Sequence, residues 1–184
     1  NYYYFINNDA WVTLKYTPEN WPTGYALYFS ATSNDSAYAD AITVMTYMRF
    51  ADVEKWKNTF NTVLHESERG QEYDAFKKEY AERLFAQVEK RFPGFTDSIE
   101  RYYVATPLTL RDYMGTDDGS MYGVVKDYRE PMRTFISPRT KIPNLLLTGQ
   151  NLNLHGILGV SVSAIVTCSE IIGAENLLTK IRNA

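Results

Sequence analysis

Apolar and polar positions follow two different periods along this chain. Before Phe50 the apolar runs are short, aromatic and β-branched: Tyr2 to Ile6, Trp11 to Tyr16 and Tyr25 to Ala31, separated by Asn7-Asn8-Asp9 and by Pro18-Glu19-Asn20-Trp21-Pro22-Thr23-Gly24. Runs of this composition between turn formers predict strands joined by short connections. Ala41 to Phe50, with Ile42, Val44, Tyr47 and Met48 among β-formers, predicts a further strand. From Asp52 the period lengthens. Val53, Trp56, Phe60 and Val63 or Leu64 recur at spacings of three and four, which predicts a helix over 52–66 with Asp52 as its cap. Gln71 to Phe92 repeats the pattern more strongly, with Tyr73, Phe76, Tyr80, Leu84, Val88 and Phe92 on one stripe and Pro93-Gly94 as its stop. Its other face carries Asp74 with Lys78 and Glu79 with Arg83, the spacing of a solvated helix surface.

Beyond Pro93 the signals weaken and then return. Thr96 to Glu100 predicts a short helical turn, Arg101 to Ala105 a strand, and Thr106 to Tyr128 a loop punctuated by Gly115, Gly119 and Gly123. Leu145 to Thr148 predicts a short apolar strand after Pro143, and Gly156 to Ile172 a helix rich in small residues. The sum is an α+β chain with a mixed sheet and several helices.

Composition narrows the function classes. Of 184 residues, 45% are hydrophobic and 22% charged, the balance of a globular domain. A net charge of -3 gives no basic face for nucleic acid. The longest apolar stretch, Gly156 to Cys168, is interrupted by Gly159, Ser161, Ser163 and Thr167 and falls short of a membrane span. Cys168 is the single cysteine, so no intrachain disulfide forms, and a reducing, cytoplasmic location is expected. Its neighbours Ile165, Val166 and Ile171 suggest a buried, inert thiol. His65 and His155 are the only histidines and lack metal-ligand spacing, so no metal is expected, and Ser161 and Ser163 lie in no GxSxG elbow. Asn1 opens directly on Tyr2-Tyr3-Tyr4-Phe5, as if inside a longer protein.

Candidate chemistry gathers near the end of the chain. In Thr148-Gly149-Gln150-Asn151 a glycine follows the expected strand, and the absent Cβ lets a ligand or another backbone approach. His155-Gly156-Ile157-Leu158-Gly159 then opens a helix whose free N–H groups favour negative charge. Small residues that merely let a helix sit close to a sheet explain the same pattern equally well.

The full string from Ser137 to Val160, SPRTKIPNLLLTGQNLNLHGILGV, resembles the carboxyl-terminal motif of the phytoene desaturase, carotenoid isomerase and retinol saturase family of FAD-dependent oxidoreductases. A second block, Thr106 to Tyr113 followed by Gly115, Gly119, Ser120, Tyr122 and Gly123, is similar to that family in the same order. The resemblance implies that residues 1–136 belong to a substrate-binding domain, and that 137–184 are the closing strand and helix of a Rossmann-like FAD-binding domain. Gly149 and Gln150 would lie beside the FAD ribityl and pyrophosphate. Gly156, Ile157, Leu158, Gly159 and Val160 would cover the flavin edge. Tyr113, Tyr122 and His155 would face an apolar polyene or retinoid-like substrate, which implies a hydrophobic tunnel and peripheral membrane contact.

One departure qualifies this. The family's anchor for FAD is a GxGxxG turn between a strand and a helix, and none of the ten glycines here is followed by another two residues later. The chain by itself is therefore expected to be inactive and not to hold FAD tightly; the dinucleotide-binding part would be supplied from elsewhere in the same protein. Two further readings stay open: an amine-oxidase-like flavoenzyme with a polar substrate, and a non-catalytic lipid-binding module of the same fold.

Overall fold

The computed structural model describes residues 1–30, 39–64 and 69–184. Ala31, His65 and Glu66, which end two of the expected elements or complete the histidine count, lie outside them. The chain is mixed α and β and divides into two compact units, Asn1–Gly119 and Ser120–Ala184.

The first unit is built on a three-stranded antiparallel sheet in the order β1 (Tyr2–Phe5), β2 (Gly24–Phe29), β3 (Ile42–Met45). The register pairs Tyr4 with Tyr25 and Leu27 with Val44. Side chains alternate across a pleat, so Tyr4, Tyr25, Leu27 and Val44 share one face. That face meets helix α1 (Gln71–Glu89), whose Leu84 and Val88 join Tyr16, Trp21, Tyr25 and Leu27 in one buried cluster. The expected stripe on α1 is the buried one. Glu72 and Asp74 sit in its first turn, where negative charge suits the helix dipole. The stop is built by Gly94, at φ +86°, and by Glu89, whose carboxylate accepts from the Gly94 and Thr96 amides at 2.6 and 2.8 Å.

Several local expectations are overturned. Trp11 to Tyr16 is not a strand. Ala10–Leu14 is a 3-10 helix, because the Asp9 carboxylate accepts from the Trp11 amide and caps a turn there. The strand expected through Phe50 ends at Met45. The helix expected over 52–66 is a seven-residue 3-10 helix, Phe50–Trp56. Asp52 does not cap it; its carboxylate accepts from the Tyr16 hydroxyl, and burial together with that bond pushes the phenol up to about 12. Arg101 to Ala105 finds no partner strand among the described residues and is irregular.

The region expected as loop after Thr106 contains helix α2 (Pro107–Met114). Thr106 and Thr109 form a capping box, Pro107 sits in the first turn, and Gly115 at φ +74° closes the last. Leu108 is fully buried with Val53 and Tyr73, and the Tyr73 and Thr106 hydroxyls are 2.7 Å apart.

Beside this second cluster lies Asp112, whose side chain has no exposed surface. It accepts from the Asn61 amide at 2.8 Å, from Arg69, and from Arg111 at 2.6 and 2.8 Å. Burial works to raise its carboxyl, but the Asn61 amide and the two guanidinium groups outweigh it and hold the group below the ordinary carboxylate value.

The second unit contains α3 (Gly156–Ile172) and α4 (Ala174–Arg182), preceded by irregular chain with a 3-10 turn at Pro131–Thr134. Helix α3 has the expected limits; α4 was not expected. Leu145 to Thr148 is not a full strand: its strand-like pairing is a single bridge, Leu146 with Arg139, beside a Leu147 amide bond to Pro138. Among the described residues of this unit, Leu152 alone of the large apolar side chains is buried. Cys168 is exposed rather than buried, since Ile165 and Ile171 beside it are themselves uncovered.

Asp112→Asn should cost about 3–5 kcal/mol by leaving two guanidinium groups without their buried partner. With the folded pKa depressed, this stabilisation is complete above the unfolded carboxylate value of about 3.9 and is lost as pH falls through the folded value. Chemical denaturation from pH 7 down to 2 should show a constant gap between the two proteins that narrows only below pH ~4; a gap that widens on acidification would refute the assignment.

Candidate functional site

The residues singled out at the end of the chain are assembled by the second unit. The run 145–147 is fastened to α3 by Thr167, whose hydroxyl donates to the Leu147 carbonyl at 3.0 Å, and by Arg139, which donates to the Glu170 carboxylate at 2.8 Å. Between run and helix, residues 149–155 make a turn that starts with Gly149 at φ +109°, a backbone state that favours glycine. Gln150 donates to the Met121 carbonyl at 3.4 Å.

The helix start is open. His155 occupies the N-cap position without a side-chain capping bond, so the first amides of α3 have no side-chain acceptor from it. Gly156 has φ +74°, and a Cβ placed there would meet nothing within 4 Å. Ile157 is 92% exposed and Leu158 78%, and Val160 is exposed as well. Gly159 differs from Gly156. A Cβ on it would lie 2.6 Å from the Leu154 carbonyl carbon, so its smallness lets the helix pack on its own incoming chain. Gly123 plays the same part toward Asn151, where the distance would be 2.3 Å.

Two of the three expected substrate-facing residues are brought together. The rings of Tyr122 and His155 lie 4.3 Å apart, tilted by 39°. Tyr113 belongs to the first unit, where its hydroxyl accepts from the Val63 amide at 3.0 Å and its side chain borders a polar cavity with Asn61, Arg69 and Thr109. No group of histidine, cysteine and acidic residues suited to a metal occurs among the described residues. Within the same limits, no helix is long and apolar enough to cross a membrane.

The first unit carries an apolar feature that the reading of the sequence passed over. On the face of the sheet away from α1, Tyr3, Phe5, Ala26, Tyr28 and Met45 form a trough with Trp11, enclosing about 300 Å³. That lies at the small end of ligand cavities, which run from roughly 300 to 1,000 Å³. The signal was present in the sequence: in β1 and β2 both alternating sets are aromatic or apolar, with no polar set to mark a solvated face.

Human all-trans-retinol 13,14-reductase is 30% identical over 118 residues, covering 62% of this chain and 19% of the human protein. The chain is homologous to the all-trans-retinol 13,14-reductases. The Rattus norvegicus reductase is 26% identical across 99% of the chain and 31% of its own length. A Danio rerio relative named as an inactive all-trans-retinol 13,14-reductase is 26% identical over 77% of the chain and 24% of its own length. These reductases are part of the phytoene desaturase and retinol saturase family of flavoenzymes, and the matched region is their C-terminal part. The chain spans between 19% and 31% of the length of these relatives. No protein-family profile and no solved structure matches it.

The two helix glycines should respond differently to alanine. Gly156→Ala has room and should lose only the backbone preference, about 1 kcal/mol. Gly159→Ala should cost about 1–3 kcal/mol by forcing α3 off Leu154. Thermal melts of both variants check the order, and a larger loss at Gly156 would contradict the packing described.

Proposed function

We propose that this chain is the substrate-domain and closing portion of an FAD-dependent oxidoreductase that acts on carbon–carbon bonds of an apolar polyene or retinoid-like molecule, by saturation, desaturation or isomerisation. The observation that carries the reading is the homology to retinol reductases along nearly the whole chain. The open start of α3 supports it. Amides without a side-chain cap, a glycine with free space beside it and the exposed Ile157 and Leu158 suit the edge of an isoalloxazine ring, which needs both apolar cover and donors for negative charge. In this reading Gly149, Gln150 and residues 156–160 contact FAD. Tyr122 and His155 stand on the substrate side, with Tyr113 retained as a further candidate. The aromatic trough offers an apolar chain the kind of lining it needs.

FAD, when bound, supplies the two-electron chemistry, and the residues here contribute cover and position. Residues 137–184 then act as the strand and helix that complete a dinucleotide-binding domain. The sequence has no GxGxxG turn, so the reading requires a dinucleotide-binding part outside it, and this stretch alone should be inactive. A second reading is favoured by one observation: a relative of similar identity is named inactive, so a non-catalytic lipid-binding module of the same fold deserves a direct test.

The gene product that carries this chain together with its upstream sequence should purify yellow, release FAD on denaturation, and reoxidise after chemical reduction when given a conjugated polyene. A colourless preparation that fails to take up added FAD would establish the module instead. Flavin reduction by amines but no exchange of electrons with polyenes would indicate an amine-oxidase-like enzyme.

A further inference from the structure

The turn from Gly149 to His155 scarcely holds itself. Its internal backbone bond runs from the Leu152 amide to the Gly149 carbonyl at 3.4 Å, the long end of the range. Its shape is imposed by two side chains that no part of the functional reading uses. The Asn153 amide group pairs with both backbone groups of Ile136, accepting from its N–H at 2.8 Å and donating to its carbonyl at 2.7 Å. This is the pairing that a neighbouring strand would give, made by a side chain. Lys126 donates through Nζ to the Leu152 carbonyl at 2.5 Å, the Thr134 carbonyl at 2.8 Å and Asn153 Oδ1 at 3.4 Å.

An ammonium has three N–H donors, and here three oxygens receive them. All three are neutral. No ion pair among the described residues involves Lys126. Charge-assisted bonds are stronger than neutral ones, so the lysine is a firm fastening. Because no carboxylate among the described residues stands within ion-pair distance of it, its positive charge also remains beside the turn that leads into the first amides of α3.

We infer that Lys126 and Asn153 are positioning residues: they fix the turn 149–155 and so set where Gly149, Gln150 and the start of α3 stand against the flavin. This rests on the proposed function, and Lys126 has a second effect that Asn153 lacks. Its charge, held by neutral oxygens, raises the local potential and favours the reduced, more negative flavin.

The test uses the gene product containing the whole chain, with Lys126→Met, Lys126→Arg and Asn153→Ala. Hydrogen exchange of peptides spanning 149–155, FAD affinity by fluorescence titration and the flavin midpoint potential are measured on each. Lys126→Met and Asn153→Ala should both speed exchange in the turn while leaving α1 unchanged. Both should weaken FAD binding by about tenfold or more, the scale of one charge-assisted hydrogen bond. Only Lys126→Met should make the midpoint potential more negative, and Lys126→Arg should restore it. Unchanged exchange in the turn would overturn the fastening. Faster exchange with FAD affinity and potential as in the parent protein would show a purely structural role and overturn the positioning assignment. A parent protein that takes up no FAD would instead remove the proposed function, and this inference with it. If Lys126→Met does not fold, Asn153→Ala and Lys126→Arg still decide through exchange and affinity.

Discussion

A carboxylate without exposed surface has to be neutralised where it stands, and for Asp112 that requirement organises much of the first unit. Its donors come from three places in the chain: the Asn61 amide, Arg69 and the adjoining Arg111. Arg111 also donates to the carbonyls of Lys57 and Thr59, so the chain leaving the 3-10 helix at Trp56 is fastened to α2 by the group that neutralises the acid. Around this polar centre Val53, Tyr73 and Leu108 close a small apolar cluster. Pairing and burial are mutually dependent: without the guanidinium groups the carboxylate would be too costly to bury, and without the cluster the pair would be hydrated and weak.

The second unit is held on different terms. Its fastenings are polar: Arg139 on Glu170, Thr167 on Leu147, Asn153 on Ile136 and Lys126 on three oxygens. Its apolar side chains are mostly outward, including Ile157, Leu158, Ile171 and Leu178. Helices in water are generally stabilised by burying an apolar face. The proposed role as the completing strand and helix of a cofactor domain gives those faces something to cover, and gives the run 145–147 the neighbouring strands that a lone segment lacks.

The legible parts of the sequence were those where many residues repeat one instruction. Helices α1 and α3 are long, and periodicity over 17 to 19 residues outweighs any single exception. Short elements depended on single contacts. Trp11 to Leu14 has the composition of a strand, yet one capping bond from Asp9 winds it into a 3-10 helix. Val53 and Trp56 fit a helical spacing, but a 3-10 turn satisfies a spacing of three as well as an α-helix does. Helix α2 announced itself by Thr106, Pro107 and Gly115, but its box closes with a threonine where glutamate or glutamine is usual. At the candidate site, the turn glycines and the helix start could be read from residue types. The fastening by Lys126 and Asn153 could not, because it joins residues 8 to 27 positions apart through side chains in irregular chain, where no period exists to reveal them.

The exposed thiol of Cys168 has a practical meaning for this architecture. It is the only cysteine in the sequence and lies on α3, twelve residues after Gly156. A maleimide-linked spin label or fluorophore would attach to this chain at one known place, on the very helix whose sides lack cover. Its spectrum would then report, in real time and without a solved complex, whether that helix tumbles in solvent or has become immobilised against something larger.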